Sequence, residues 1–180
     1  MKTSLTYGAG MALAGALLVF VLYFLGFHSD VERLPVGQKI QMIGGTVILA
    51  GGLIFGIRAR RAETPPEEPF GYGRALGAGT LIALFSSLFG AIFSYIYSAF
   101  INPAFPELMV RSEVAKLEAQ NLAPEAIEGA EKFIRMMSSP AASMVFGFII
   151  GFVMSFIAAL IVAAFIRRPA SDVPPPIATA

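Results

Sequence analysis

Apolar and polar positions fall into long blocks along this chain instead of alternating. Residues 5–27, 40–57, 75–101 and 140–166 are apolar runs without a single Asp, Glu, Lys, Arg or His, and polar stretches separate them. A bilayer hydrocarbon core of about 30 Å is crossed by about 20 helical residues. Three of the runs exceed that length and 40–57, with Gln41 as its one strongly polar residue, approaches it. The blocks therefore predict four transmembrane helices. Bilayer strands would need alternation over about ten residues, which is not seen. Pro140 suits the first turn of the fourth helix, where its missing N–H costs nothing.

The connections differ from one another. Residues 28–39, with Pro35 and Gly37, read as a tight turn. Residues 58–74, "RARRAETPPEEPFGYGR", form a polar linker in which Pro65, Pro66 and Pro69 forbid a continuous helix. Residues 106–139 form the one sizeable polar segment and read as two short amphipathic helices. Val110, Val114 and Leu117 share a face of the first; Ile127, Ala130, Ile134 and Met137 share a face of the second. Glu107 with Arg111, Glu128 with Lys132 and Glu131 with Arg135 are i,i+4 pairs in the favourable order. Two readings of this hairpin stand. It rests its apolar stripe on the bundle or the membrane surface, or it docks a partner through a surface carrying Glu113, Glu118, Glu125 and Glu128. The Pro-rich residues 169–180 read as an extended tail.

Inside the third helix, "SSLFGAIFSYIYSAFINP" separates into stripes. Ser86, Gly90, Ser94 and Ser98 fall four apart, and Phe85, Phe89, Phe93 and Tyr97 form an aromatic row beside them. The fourth helix carries Ser143, Gly147, Gly151, Ser155, Ala159 and Ala163 at the same spacing; Gly52 and Gly56 mark the second helix, and Gly8, Ala12 and Ala16 the first. Apolar side chains gain little in lipid by touching each other instead of acyl tails, so helices associate where small residues let backbones approach. The small stripes read as helix interfaces, with Gly147 and Gly151 expected against the third helix near Gly90 and Ser94. The competing reading is a substrate path with an aromatic wall. It lacks polar chemistry at depth, because the spans offer hydroxyls alone and each can bond its own i−4 carbonyl. Tyr95 and Tyr97 fit an interfacial belt, and Asn102-Pro103 ends the helix.

Composition sharpens this picture. Of 180 residues, 56% are hydrophobic and 14% charged, against about 25% charged in soluble domains. The formal net charge of +1 carries no basic stripe for nucleic acid. There is no cysteine, so disulfides and thiolate chemistry are excluded, and the single His28 cannot build a histidine metal cluster. No catalytic constellation is present, "GYGRALGAG" lacks the phosphate-loop pattern, and no cofactor is expected. The first apolar run is too long for a signal peptide, and "GFHSDVER" offers no small-x-small cleavage site; it reads as a retained span. Clusters Arg58, Arg60, Arg61 and Arg167, Arg168 abut span ends and place both termini on the cytoplasmic side. The starts "GAGMALAG" and "GAGTLIAL" of the first and third helices give a faint internal echo.

At "FGYGRALGAGTLIALFSSLFGAIFSYIYSAFINPAFPE" the chain resembles a bacterial membrane family, domain of unknown function family 4199, and "MMSSPAASMVFGFIIGFVMSFIAALIVAAFIRR" continues the likeness. The resemblance is strongest over 70–168. It implies a small four-helix protein of the bacterial cytoplasmic (inner) membrane and carries no activity or site residue. The expectation is an all-α four-helix transmembrane bundle, residues 1–168, with an extramembrane amphipathic hairpin between helices 3 and 4. It is expected to be a non-enzymatic scaffold or accessory subunit, alternatively an oligomeric small-molecule transporter or lipid-binding membrane protein. Its expected partners are membrane lipid and a protein or second copy met through the helix faces or the hairpin.

Overall fold

The computed structural model describes residues 1–168; the expected tail, 169–180, lies outside them. Six α-helices follow in chain order: α1 (Lys2–Phe24), α2 (Leu34–Ala62), α3 (Tyr72–Ile96), α4 (Phe105–Ala119), α5 (Pro124–Ser138) and α6 (Pro140–Ile166). A π-helical turn, Tyr97–Ile101, extends α3. The described residues contain no strand; Phe70 and Arg168 make one isolated antiparallel bridge. Helices α1, α2, α6 and α3 with its π-turn are long and apolar enough to cross a membrane. The protein is a helical membrane bundle.

One boundary differs from the pattern's prediction. The second span begins at Leu34 and not near residue 40, so Pro35 and Gly37 lie inside its first turns. Proline is tolerated there because first-turn N–H groups have no intrahelical acceptor. Gly37 is needed for packing: a Cβ at this position would come within 2.8 Å of the Phe27 Cβ. Arg60 and Arg61 close the last turn of α2, where cations complement the helix dipole.

The chain divides into two compact units. The terminal unit contains residues 1–12, 47–89 and the chain from 150; the hairpin unit contains 13–46 and 90–149. Each of the four long helices supplies a segment to both.

The terminal unit is built on close helix approach. Leu53, Ile57, Ile82, Ala159 and Ala163 are fully buried, joined by Met11 and Ala75. A Cβ on Gly8 would stand 2.6 Å from the Phe85 Cβ and 3.0 Å from the Ile82 carbonyl, and one on Gly79 would stand 2.8 Å from the Ala159 Cβ. Gly52 gives the same clearance to the Met11 side chain, and Gly56 to Ile82 and Tyr7. Such clearances let dispersion contacts hold helices together where the hydrophobic effect cannot. Arg168 then closes the unit. Its Nη2 donates to the carbonyls of Pro65 and Glu68, both at 2.6 Å, and its backbone N–H donates to the Phe70 carbonyl at 2.8 Å. The proline-rich linker thus obtains from a side chain the hydrogen bonds it cannot make as a helix. Arg61 caps the Ile166 carbonyl at 3.1 Å.

The hairpin unit is held by aromatic rings and by polar groups. Phe20 meets Phe93 edge-on with centroids 5.5 Å apart, and Tyr23 meets Tyr97 at 6.1 Å. Gly26 turns the chain after α1 with φ of +79°, a left-handed conformation that glycine adopts without penalty. The α4–α5 turn uses Asn121 at φ +54°, and asparagine is among the few side chains enriched there. Pro106 and Pro124 sit in the first turns of α4 and α5.

Candidate functional site

The hairpin unit contains a buried polar node. His28, at 2% exposure, follows α1; Tyr97 opens the π-turn; Asn102 ends it. The Tyr97 hydroxyl lies 2.7 Å from His28 Nδ1. Asn102 Nδ2 donates to the His28 carbonyl at 3.0 Å and to the Tyr97 hydroxyl at 3.2 Å. With the hydroxyl accepting from Asn102, its own proton is directed at Nδ1, which assigns the ring proton to Nε2. That nitrogen is buried without a partner among the described residues. Burial holds the His28 pKa below its ordinary value of 6.5, since charging the ring would sacrifice hydration.

The π-turn creates this node. Asn102 N–H reaches back to the Tyr97 carbonyl at 2.7 Å, five residues away. Tyr97 and Ser98 are buried, while Tyr95, Ile96 and Phe100 remain exposed. Single π-turns are uncommon and recur at functional positions. Here the turn brings one aromatic hydroxyl inward and ties the end of the third span to the chain after the first. The Phe105 ring packs on the other side, 4.7 Å from His28 and 5.5 Å from Tyr97 between centroids, fixing the entry of α4.

Beside the node lies a cleft of about 320 Å³. Ser94, Tyr97 and Ser98 line it from the third span and Ser143 from α6; Phe105, Pro106 and Met109 line it from α4; Phe133, Ile134, Met137 and Ser138 line it from α5. No charged side chain lines it. The Ser98 hydroxyl donates to the Ser94 carbonyl at 2.8 Å, and Ser143 to the Met137 carbonyl at 3.2 Å. One ion pair, Arg135 with Glu107, joins the two helices of the hairpin, and pairs within each helix flank it. Arg135 Nη1 meets Glu107 at 2.5 Å and Nη2 meets Glu131 at 3.0 Å, while Arg111 meets Glu107 at 3.3 Å. Arg135, followed by Arg111, holds the Glu107 carboxyl below the usual range. Lys116 meets Glu113 at 2.6 Å, and Gln38 of α2 lies against Met109.

The residues singled out in the sequence disperse between the units. Gly52, Gly56, Ser155 and Ala159 lie in the terminal unit; the first two are packed as described, and the other two are buried. Ser86 is half-buried, with its backbone nitrogen against Gly8. A Cβ on Gly151 would meet Ser87 Oγ at an ordinary 3.6 Å, and one on Gly90 or Gly147 would meet nothing. Ser94, Ser98 and Ser143 converge on the cleft. On the hairpin, Glu113 and Glu128 are paired with Lys116 and Lys132. Glu118 and Glu125 are exposed and make no ion pair among the described residues. The expected i−4 hydroxyl bonds are present at Thr46, Thr80 and Ser98. Tyr97 is a correction: it is 4% exposed and committed to His28, not part of an interfacial belt.

A second cleft, of about 380 Å³, lies in the terminal unit and is polar. Its arginines are engaged: Arg60 pairs with Glu63, and Arg74 with Glu68 at 2.9 Å. Thr3 bonds Glu63 and, with Arg60, keeps that carboxyl below its ordinary range. Among the described residues no three His, Asp or Glu side chains gather as metal ligands.

The model of the family described as "Protein of unknown function (DUF4199)" matches residues 6–168. The chain belongs to this family. For this DUF4199 protein the match covers every element from α1 to the bridge at Arg168, including the node and the cleft. No curated protein and no solved structure matches it.

Proposed function

We propose that this DUF4199 protein is a non-enzymatic scaffold or accessory subunit of the cell's inner membrane, with cytoplasmic termini, and that it recruits a basic protein segment through the tip of the α4–α5 hairpin. The observation that carries this reading is a hairpin whose two helices are joined by an ion pair and whose tip carries carboxylates without ion partners among the described residues. The Glu107–Arg135 pair ties α4 to α5, and Phe105 packs on the buried His28–Tyr97 pair. At the far end Glu118 and Glu125 flank the Asn121 turn, exposed and without ion partners among the described residues. Rim charges of this kind contribute little to folding but set partner choice and association rate. The arginines Arg58, Arg60, Arg61, Arg167 and Arg168 belong to the terminal unit, which supports the orientation by the positive-inside rule.

The test is affinity capture of the full chain from native membranes, with thermal midpoints measured in parallel. Glu118→Gln with Glu125→Gln should leave the midpoint unchanged and reduce the captured partner several-fold. Equal recovery of the same partner by both proteins would remove the tip from the account.

A further inference from the structure

From the composition of the cleft beneath the hairpin, we infer that it is a binding site for one acyl chain of a membrane lipid. This inference is independent of the protein-docking reading, because it concerns the inner face of the hairpin and not its tip.

The lining fits an apolar chain and little else. It has no charged side chain to receive a phosphate, a carboxylate or an ammonium group. The polar groups that reach it are mostly occupied. The Tyr97 hydroxyl is held by His28 and Asn102, and the Ser98 and Ser143 hydroxyls donate to carbonyls. An apolar occupant therefore leaves these three satisfied, whereas a charged solute would find no ion partner. Ser94 and Ser138 keep hydroxyls without a partner among the described residues, enough for the ester end of a chain. About 320 Å³ lies at the lower end of the roughly 300–1,000 Å³ of ligand pockets, which suits part of a chain and not a whole lipid.

The position of the cleft selects lipid over a solute. Ser94, Tyr97 and Ser98 belong to one membrane span and Ser143 to another, so two of the cleft's walls are segments whose natural solvent is acyl chain. Its fourth wall is α5, an amphipathic helix that buries no residue of its own in this chain. Phe133, at 59% exposure, lines the cleft, and Met136, at 58%, stands one turn on. Val145 and Phe146 of α6 are likewise exposed, at 50% and 40%. A chain seated in the cleft covers Phe133 on the exposed face of α5.

The experiment reconstitutes the full-length protein in vesicles of phosphatidylethanolamine and phosphatidylglycerol doped with a phosphatidylcholine carrying a diazirine on one acyl chain. After irradiation, adducts are mapped by peptide mass spectrometry. The expected result is labelling of Met109, Phe133 and Met137 in the wild-type protein. Ile134→Trp, which fills the cleft, should lower that labelling at least tenfold while Val145 and Phe146 label as before. Phe146→Trp on the open α6 surface should leave cleft labelling unchanged. Retained labelling of the span surfaces also shows that Ile134→Trp is inserted and folded. Labelling confined to Val145, Phe146 and other span surfaces of the wild type would overturn the proposal. So would crosslinks from the cleft to a second copy, or cleft labelling that survives Ile134→Trp. Because the readout is lipid adduct and not captured protein, its failure would leave the Glu118 and Glu125 reading untouched.

Discussion

The two units of this bundle use the same four long helices to opposite ends. In the terminal unit the helices meet through glycines that leave no room for a Cβ, and the linker is sewn to the end of α6 by Arg168. In the hairpin unit Gly37 and Gly44 pack closely within 13–46, but the glycines at 90 and 147 on the third and fourth spans face open space, and order there comes from a few buried polar bonds and aromatic edges. Their charges differ as well. Lys2, Arg58, Arg60, Arg61, Arg74, Arg167 and Arg168 outnumber Glu63, Glu67, Glu68 and Asp172 in the first. In the second, Asp30, Glu32, Glu107, Glu113, Glu118, Glu125, Glu128 and Glu131 outnumber Arg33, Lys39, Arg111, Lys116, Lys132 and Arg135. The lesson is that small residues at four-residue spacing have no fixed meaning in a membrane helix. They close an interface where another helix lies opposite, and they leave space where none does.

The largest test of this contrast is steric. Gly79→Leu forces a side chain into Ala159 and Ile57 and should cost about 3 kcal/mol, the upper end for overpacking. Gly147→Leu, on the same kind of stripe, should shift stability by less than about 0.5 kcal/mol. Thermal midpoints in one detergent compare them directly, and equal losses would erase the distinction between the units.

Next in size is the polar node. Asn102→Ala removes the donor shared by the His28 carbonyl and the Tyr97 hydroxyl, leaving buried acceptors unpaired at a cost of about 2 kcal/mol. Hydrogen exchange should accelerate in α4 and α5 and stay unchanged in the 63–70 linker. Uniform acceleration along the chain would show that the node does not act locally.

A smaller effect follows from pH. Burial among Tyr97, Asn102 and Phe105 lowers the folded His28 pKa, so the unfolded chain binds the proton more readily. The stabilisation is therefore complete above about 6.5 and is lost as pH falls from there through the folded pKa. His28→Gln should flatten the dependence of the thermal midpoint on pH between neutral and mildly acidic conditions. An unchanged slope in that variant would assign the dependence to other groups.

Much of this architecture was legible in the sequence, and the reasons are physical. Block hydropathy marks spans because the bilayer demands length, and Pro106, Pro124 and Pro140 mark starts because a first turn tolerates them. The three i,i+4 ion pairs of the hairpin follow from helical spacing alone. The node was not legible. His28 and Tyr97 are 69 residues apart, and their meeting depends on a π-turn that shifts the inward register of α3 at its last turn. The cleft was not legible for a related reason: four-residue spacing marks Ser94, Ser98 and Ser143 as packing residues, and nothing in the sequence shows that α4 and α5 supply the remaining walls.

The most direct test of the division of labour places a photo-crosslinking amino acid singly at Leu122, in the hairpin turn, or at Glu67, in the linker of the terminal unit, within native membranes. The account predicts a discrete adduct to another protein from position 122 and none from position 67. An adduct from position 67 with none from position 122 would contradict it and move the working surface to the arginine-stitched end.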